Sequence, residues 1–309
     1  MQTILGANGQ IAAELARELK RGYTDDIRLV SRKPRKVNDS DLIFPADLLD
    51  KEVTEKSVKG SDIVYLTVGL PMNAQLWEDQ FPLIMENTIH ACKKYGSKLV
   101  FFDNTYMYAK TNEPQTEESS FGPIGKKSFV RARIATLLLD EIKDKKINAV
   151  ICRAPEFYGP NKTQSITNSL IFDKIKYNQR LKVPISAETK RTLIWTPDAS
   201  RAMALIGNTA DAYDQTWHLP CDDNRLTYKE LIHLISQIYN CEFDYSVIKM
   251  WQFKLGSLFN KKVRELIELL PRYKYDNIFI SDKFKERFPD FEITSISNGI
   301  TQIKKEKNY

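Results

Sequence analysis

The sequence predicts an α/β fold, a doubly wound parallel sheet followed by a smaller C-terminal α/β lobe. Three observations carry this. The first half of the chain alternates short apolar strands with amphipathic helices. A glycine-rich turn links the first strand to the first helix within the opening dozen residues. After Pro155 the alternation gives way to shorter mixed pieces, which mark a second lobe.

The elements follow in order. "QTIL" reads as a short strand, and "GQIAAELARELKRG" has apolar residues at helical spacing and stops at Gly22. "IRLVSR" is a strand and "DKEVTEKSVKG" a short helix closed by Gly60. "DIVYLTVG" is a buried strand. "NAQLWEDQFPLIMENTIHACKKYG" is a long helical pattern, interrupted at Pro82 and stopped at Gly96. "KLVFFDN" is a strand, "KKSFVRARIATLLLDEIKD" a helix and "NAVICRA" another strand. Strands alternating with helices imply a parallel sheet covered on both faces. The smaller pieces are "SITNSLIFDKIKYNQ", "RLKVP", "RTLIWT", "PDASRAMALIGN", "YKELIHLISQIYN" and "EFDYSVIK", then a helical terminus. The expected division is residues 1–160 and 161–309, the second partly interleaved with the first.

Composition narrows the class. With 309 residues, 42% hydrophobic and 28% charged, the chain can bury a large core. The net charge is +6, but the surplus lies in scattered lysines and a terminal "KKEKN". There is no basic stripe or recognised module, so no nucleic-acid partner is expected. Cys92, Cys152, Cys221 and Cys241 are isolated, and His90, His218 and His233 show no ligand spacing. No disulfide framework or metal is expected. The apolar runs are too short to span a bilayer, and the first strand begins beside Met1 without a signal peptide. A cytoplasmic protein without a membrane partner is the expectation.

The opening turn carries the first chemistry. Strand, glycine-rich turn and helix set helix N–H groups and the positive end of the helix dipole against a pyrophosphate. In Gly6-Ala-Asn8-Gly9-Gln10-Ile11-Ala12, Gly6 permits the tight turn and Gly9 lets backbone approach phosphate. Ala12 is small enough for close helix–strand packing. This is a Rossmann-like dinucleotide-binding layout. An acid at the end of the second strand would bind the ribose 2′-hydroxyl of NAD. The chain instead has Ser31, Arg32 and Lys33. A guanidinium there suits the 2′-phosphate, so NADP(H) is expected over NAD(H).

With these residues the chain resembles the extended short-chain dehydrogenase/reductase superfamily, the NAD(P)-dependent epimerase/dehydratase group. The similarity extends over most of its length. "GANGQIA" looks like that group's nucleotide fingerprint, and "FPADLLD" puts Asp47 and Leu48 where the group has an acid near the adenine. "LTVG" matches the cofactor-lining loop, bringing in Val68 and Gly69. "CRAPEFYGP" is similar to the group's Arg-Pro-x-x-x-Tyr-Gly-Pro stretch, and its Glu156 and Tyr158 become candidates for the substrate pocket. "TLIWTPDASRAMA" resembles a Val-x-Asp-x-Ala-x-Ala segment, with Asp198 at the Asp, where a helix cap is the simpler reading.

The departures matter as much. The resemblance implies a Ser or Thr after the fourth strand and a Tyr-x-x-x-Lys pair on the next helix. Counting back from Tyr108, the Ser position holds Asn104, next to Thr105. On the helix, one register gives Phe129-x-x-x-Arg133 and another Lys127-x-x-x-Arg131; none gives Tyr followed by Lys. Hydride transfer needs a proton donor on the neighbouring atom. Tyr106, on the loop that ends a parallel strand, is the candidate. Lys127 and Arg131, one helical turn apart, are candidates to lower its pKa, and Asn104 and Thr105 to hold a carbonyl or hydroxyl. Trp77 and Phe81 read as core.

The expected function is an atypical NADP(H)-dependent oxidoreductase, of epimerase or reductase type. Its substrate would be a small polar molecule such as a sugar or nucleotide-sugar. The competing reading is a non-catalytic NADP(H)-binding sensor or scaffold, which would keep Gly6, Gly9 and Arg32 without a catalytic pair. The resemblance also suggests a homodimer through the 73–95 and 126–144 helices.

Overall fold

The computed structural model describes residues 1–160 and 163–306. The chain begins β1 (Gln2–Leu5), α1 (Gln10–Gly22), β2 (Ile27–Ser31), β3 (Leu42–Pro45), α2 (Lys51–Val58) and β4 (Ile63–Leu66). It continues α3 (Ala74–Tyr95), β5 (Lys98–Asp103), α4 (Lys126–Lys143) and β6 (Ala149–Arg153). Then come β7 (Glu156–Tyr158), a π-helical turn, α5 (Asp173–Lys176), β8 (Leu181–Pro184), β9 (Leu193–Trp195), α6 (Thr196–Gly207) and β10 (Gln215–His218). The remainder is α7 (Tyr228–Tyr239), β11 (Tyr245–Ile248), α8 (Met250–Phe259), α9 (Lys261–Leu266), a 3-10 segment Ile267–Lys274, α10 (Asp282–Arg287) and α11 (Ile296–Glu306).

Seven strands form one parallel sheet in the order β10-β6-β5-β4-β1-β2-β3. The order reverses between β1 and β4, where open α/β sheets bind ligands beyond the carboxyl ends of the strands. One face carries α1 and α6, the other α2, α3 and α4. The inner stripe of α1 is Ile11, Ala12, Leu15, Ala16 and Leu19, all buried. Burying each of its larger side chains is worth roughly 1.5–3 kcal/mol. The doubly wound α/β expectation therefore holds. A third core, built from β7, β8, β9, α7 and α11 with Tyr158, Trp195, Tyr228 and Ile300, sits under the later part of the chain. Residues 196–218 leave it to return to the main sheet, α6 against α1 and β10 beside β6.

Two expectations need correction. The long helix is not interrupted at Pro82: α3 runs unbroken from Ala74 to Tyr95. Trp77, Phe81, Ile84 and Met85 are buried on both sides of the proline, and that packing holds the helix where one hydrogen bond is missing. Strand β3 has no counterpart in the sequence reading. It is a four-residue edge strand whose side chains are largely exposed, so it shows no inward-facing alternation to find.

Candidate active site

Two constellations meet the carboxyl edge of the sheet. The first is the β1–α1 turn. Gly6 has φ +93°, and a Cβ there would lie 2.8 Å from Val68 Cα and N, so only glycine lets the turn lie against the chain leaving β4. Gly9 is the N-cap of α1, and a Cβ there would meet nothing nearer than Gly6 O at 3.5 Å. No side chain caps α1, its first turn carries no acid, and Asn8 and Gly9 at its tip are exposed. Its first N–H groups and dipole are therefore available to an anion. Asn8 Nδ2 donates to Lys33 O at 2.8 Å, tying this turn to the end of β2. There Ser31 Oγ is buried without a partner, while Arg32 and Lys33 are exposed with no ion-pair partner among the described residues. Gln10 Oε1 accepts from Gln164 N at 2.6 Å. Ile11 is turned into the core, and Asp47 is exposed, its Oδ1 accepting from Leu49 N. Leu48 is buried with its carbonyl on Asn87, Val68 is half-buried and Gly69 exposed. The open helix tip and the orphaned Ser31 hydroxyl fit a dinucleotide.

The same geometry separates binding from folding. In Gly9→Val the added Cβ meets only ordinary van der Waals contacts within the protein, and the branched side chain sits at the exposed tip of α1. The folded variant is expected to lose at least about tenfold in NADPH affinity, or about 1.4 kcal/mol. Titration calorimetry that gives an unchanged Kd excludes this turn as the phosphate site.

The second constellation lies past β5. Asn104 Oδ1 accepts from Tyr106 N at 2.9 Å and shapes the turn, which commits one of its two lone pairs to the loop. Tyr106 stacks on Trp77, with ring centroids 6.2 Å apart and planes 10° apart. Arg272 lies over the same ring, 5.1 Å from its centroid, and donates from Nη2 to Thr105 Oγ1 at 3.2 Å. Thr105, Tyr106, Lys110, Gln115, Arg272 and Asn277 line a cleft with room for about 20 Å³, the size of a water molecule. The Tyr106 hydroxyl has no hydrogen-bond partner among the described residues.

The cations expected to serve Tyr106 are occupied. Lys127 is buried, and its three N–H groups go to Glu265 Oε2 (2.7 Å), Glu268 Oε1 (2.7 Å) and Glu265 O (2.8 Å). An ammonium has three donors, so none is left for substrate. Arg131 is clamped between the Phe81 and Phe101 rings and donates from Nε and Nη2 to Asp103 Oδ1. Burial raises the Tyr106 pKa, and it outweighs Arg272 and the smaller pulls of Arg131 and Lys127. The expectation that Lys127 or Arg131 lowers this pKa is thus corrected. The nearest cation is Arg272, and the phenol stays neutral at physiological pH.

The "CRAPEFYGP" candidates also part company. Burial alone would raise the Glu156 pKa, but Arg191 and Arg272 hold it below the usual carboxylate range. Its Oε1 lies 3.3 Å from Arg272 Nε, so Glu156 anchors the guanidinium that covers Tyr106. Tyr158 is not a pocket wall. It is 1% exposed, packed on Trp195 and Phe172, with Gly299 of α11 against its ring. The reading of Asp198 as a helix cap is corrected: no side chain caps α6, and Asp198, inside its first turn, accepts instead from Arg201 and from Thr294 N.

Sequence reading missed Glu265, Glu268 and Arg272. The two acids are three residues apart on a helical segment, a spacing that signals a shared face but not which distant lysine it meets.

A family model described as "NAD dependent epimerase/dehydratase family" matches residues 3–218. The chain belongs to that family. Membership places it among NAD(P)-dependent epimerase/dehydratase-type enzymes, with a nicotinamide dinucleotide as cofactor class. Solved structures share the fold over the whole chain. UDP-glucuronic acid 4-epimerase from Bacillus cereus, in complex with NAD, is 14% identical with a TM-score of 0.79, covering 100% of this chain and 99% of that one. UDP-glucose 4-epimerase from Thermus thermophilus, in complex with NAD, is 15% identical with a TM-score of 0.76, covering 100% and 99%. A dTDP-glucose 4,6-dehydratase double mutant from Streptomyces venezuelae is 14% identical with a TM-score of 0.78, covering 100% and 97%. No curated protein matches the chain. Within this epimerase/dehydratase fold, α4 holds no tyrosine.

Proposed function

We propose that this family member binds NADP(H) in preference to NAD(H) and catalyses hydride chemistry on a small polar substrate. A sugar or nucleotide-sugar is the substrate class, with Tyr106 as proton donor. One observation carries the reading. Tyr106 lines the cleft beyond β5 as a neutral phenol whose hydroxyl has no hydrogen-bond partner among the described residues, its ring in contact with Trp77 and Arg272. The dinucleotide supplies or accepts the hydride. The chain's own residues do the rest. The tip of α1 and Ser31 would hold phosphate and ribose oxygens, Arg32 and Lys33 the 2′-phosphate, and Asp47 and Leu48 would flank the adenine. Tyr106 would pass its proton to the substrate oxygen, with Arg272 offsetting the negative charge left on the ring oxygen. Thr105 lies on the same wall. The lobe around Tyr158, Trp195 and Tyr228 would cover the substrate, giving the division 1–160 and 161–309 except for α6 and β10. The 4-epimerase and dehydratase titles among the structural neighbours support the substrate class, although the ones described above contain NAD.

The preference for NADP(H) rests on Arg32, and it is tested there. A charge-assisted bidentate contact is worth roughly 1.5–3 kcal/mol. Arg32→Ala is expected to weaken NADPH binding by that order and leave NADH nearly unchanged. Equal affinity of the wild type for NADH and NADPH refutes the preference. Cofactor oxidation across a panel of carbonyl and sugar substrates tests turnover, and tight binding without turnover of any of them favours the sensor reading instead.

A further inference from the structure

We infer that α8 is a membrane-surface helix that docks the protein on an anionic lipid layer. Among the described residues, α8 leaves Trp251, Leu255, Leu258 and Phe259 exposed, at 64%, 53%, 71% and 87%. At 100° per residue these four fall within an arc of about 100°, a single apolar stripe. Phe253 lies on the opposite side and is the one residue of α8 that is buried. The helix thus rests on the protein by one face and presents the other outward.

The charge around the stripe is one-sided. Lys249, Lys254, Lys261, Lys262 and Arg264 are all exposed, and none has an ion-pair partner among the described residues. No aspartate or glutamate occurs from Tyr245 to Arg264. A helix carrying Trp, Phe and Leu on one side and lysines at its flanks has the composition of an interfacial helix, whose apolar side chains enter the acyl boundary while its cations meet anionic headgroups. A second copy of the chain fits less well, because a two-fold contact at this stripe would set lysines against lysines. An acidic protein would match the charge, but it would need a shaped groove for four large exposed apolar side chains, which a fluid lipid layer accommodates without one.

The expectation of no membrane partner rests on the length of apolar runs. That length bears on spanning, and no helix among the described residues is long and apolar enough to cross a bilayer. It does not bear on a helix lying in the surface.

The test is co-sedimentation of the full chain with phosphatidylcholine vesicles, with and without phosphatidylglycerol. Retention is expected on the anionic vesicles and at least about tenfold weaker on the neutral ones. Trp251 is a built-in reporter, since Trp77, Trp195 and Trp217 are buried. Brominated lipid is expected to quench the wild type and not Trp251→Phe. Leu258→Ser/Phe259→Ser and, separately, Lys254→Glu/Lys262→Glu are each expected to lower retention at least about tenfold, with far-UV circular dichroism unchanged. The proposal is overturned if the wild type stays in the supernatant, if it binds neutral vesicles equally, or if either folded double variant is retained like the wild type. Concentration-dependent dimerisation abolished by Leu258→Ser/Phe259→Ser, without vesicle binding, reassigns the stripe to self-association. Capture by a polyglutamate resin, without vesicle binding, reassigns it to an acidic protein.

Discussion

Tyr106→Phe is expected to cut turnover by about 10²–10⁴-fold while leaving folding and NADPH affinity intact. The substitution removes one oxygen and keeps the ring that stacks on Trp77 and under Arg272. Only the proton source is lost. Because burial raises this phenol above its ordinary pKa of about 10, the acid form persists through neutral pH. The kcat/KM for reduction should stay level there and fall only in strongly alkaline solution, as the phenol ionises. Tyr108→Phe is the internal control. Tyr108 is buried, receives a hydrogen bond from Arg153 Nη1 at 2.6 Å, and lies 2.7 Å from His218 Nε2. His218 Nδ1 can only donate to Ile280 O, and burial lowers the His218 pKa to about 3, so Nε2 carries no proton and competes with Thr116 O, 3.0 Å away, for the single Tyr108 hydroxyl hydrogen. Loss of this hydroxyl should weaken the fold more than the chemistry. Full activity of Tyr106→Phe on a confirmed substrate would remove Tyr106 from the mechanism.

The largest stability effect is expected at Asp103. This carboxylate is 1% exposed at the end of β5 and meets two buried guanidiniums. Arg131 donates to Oδ1, Arg153 Nε to Oδ2 at 3.3 Å, and Asn104 N to Oδ1 at 2.8 Å. Asp103→Ala strands both cations in the interior, where breaking a buried pair typically costs about 3–5 kcal/mol. Urea unfolding should show the midpoint fall with little change in m, and Asp103→Asn should recover part of the loss by keeping an acceptor for Arg131. A loss below about 1 kcal/mol would mean that water reaches these arginines.

Five of the seven strands of the main sheet, all but β3 and β10, were legible because their signals are local. Gly6 and Gly9 between a strand and an amphipathic helix, and apolar runs closed by Gly60 and Gly96, need no distant partner to be interpreted. The cofactor candidates rest on the same kind of local signal, since they cluster at the ends of successive strands. The chemistry was less so. Lys127 and Arg131 share one helix face, and nothing near them in sequence tells that Glu265 and Glu268 engage the first and Asp103 the second. Arg272 lies far along the chain from the Tyr106 ring it covers. Tyr158 stands beside Gly159-Pro160 in a stretch that resembles a pocket motif, yet the neighbouring strand β9 supplies Trp195 and turns it into core. Proline in a helix is an unfavourable local signal, and at Pro82 packing overrode it.

Strand β10 has a consequence for how the chain reaches this state. It closes the edge of the sheet beside β6, but Ala154–Asp214 lies between the two strands. A ribosome therefore releases β6 with its outer edge unpaired and completes that edge only after β7, β8, β9 and α6 have emerged. Such a long-range closure is slow relative to the shorter parallel crossovers and helical steps before it, and an open strand edge is a template for pairing with another chain. The main sheet cannot finish folding as an independent N-terminal unit. Truncation between β6 and β10 would leave a product prone to aggregate, and chaperone demand during synthesis should be concentrated in that interval.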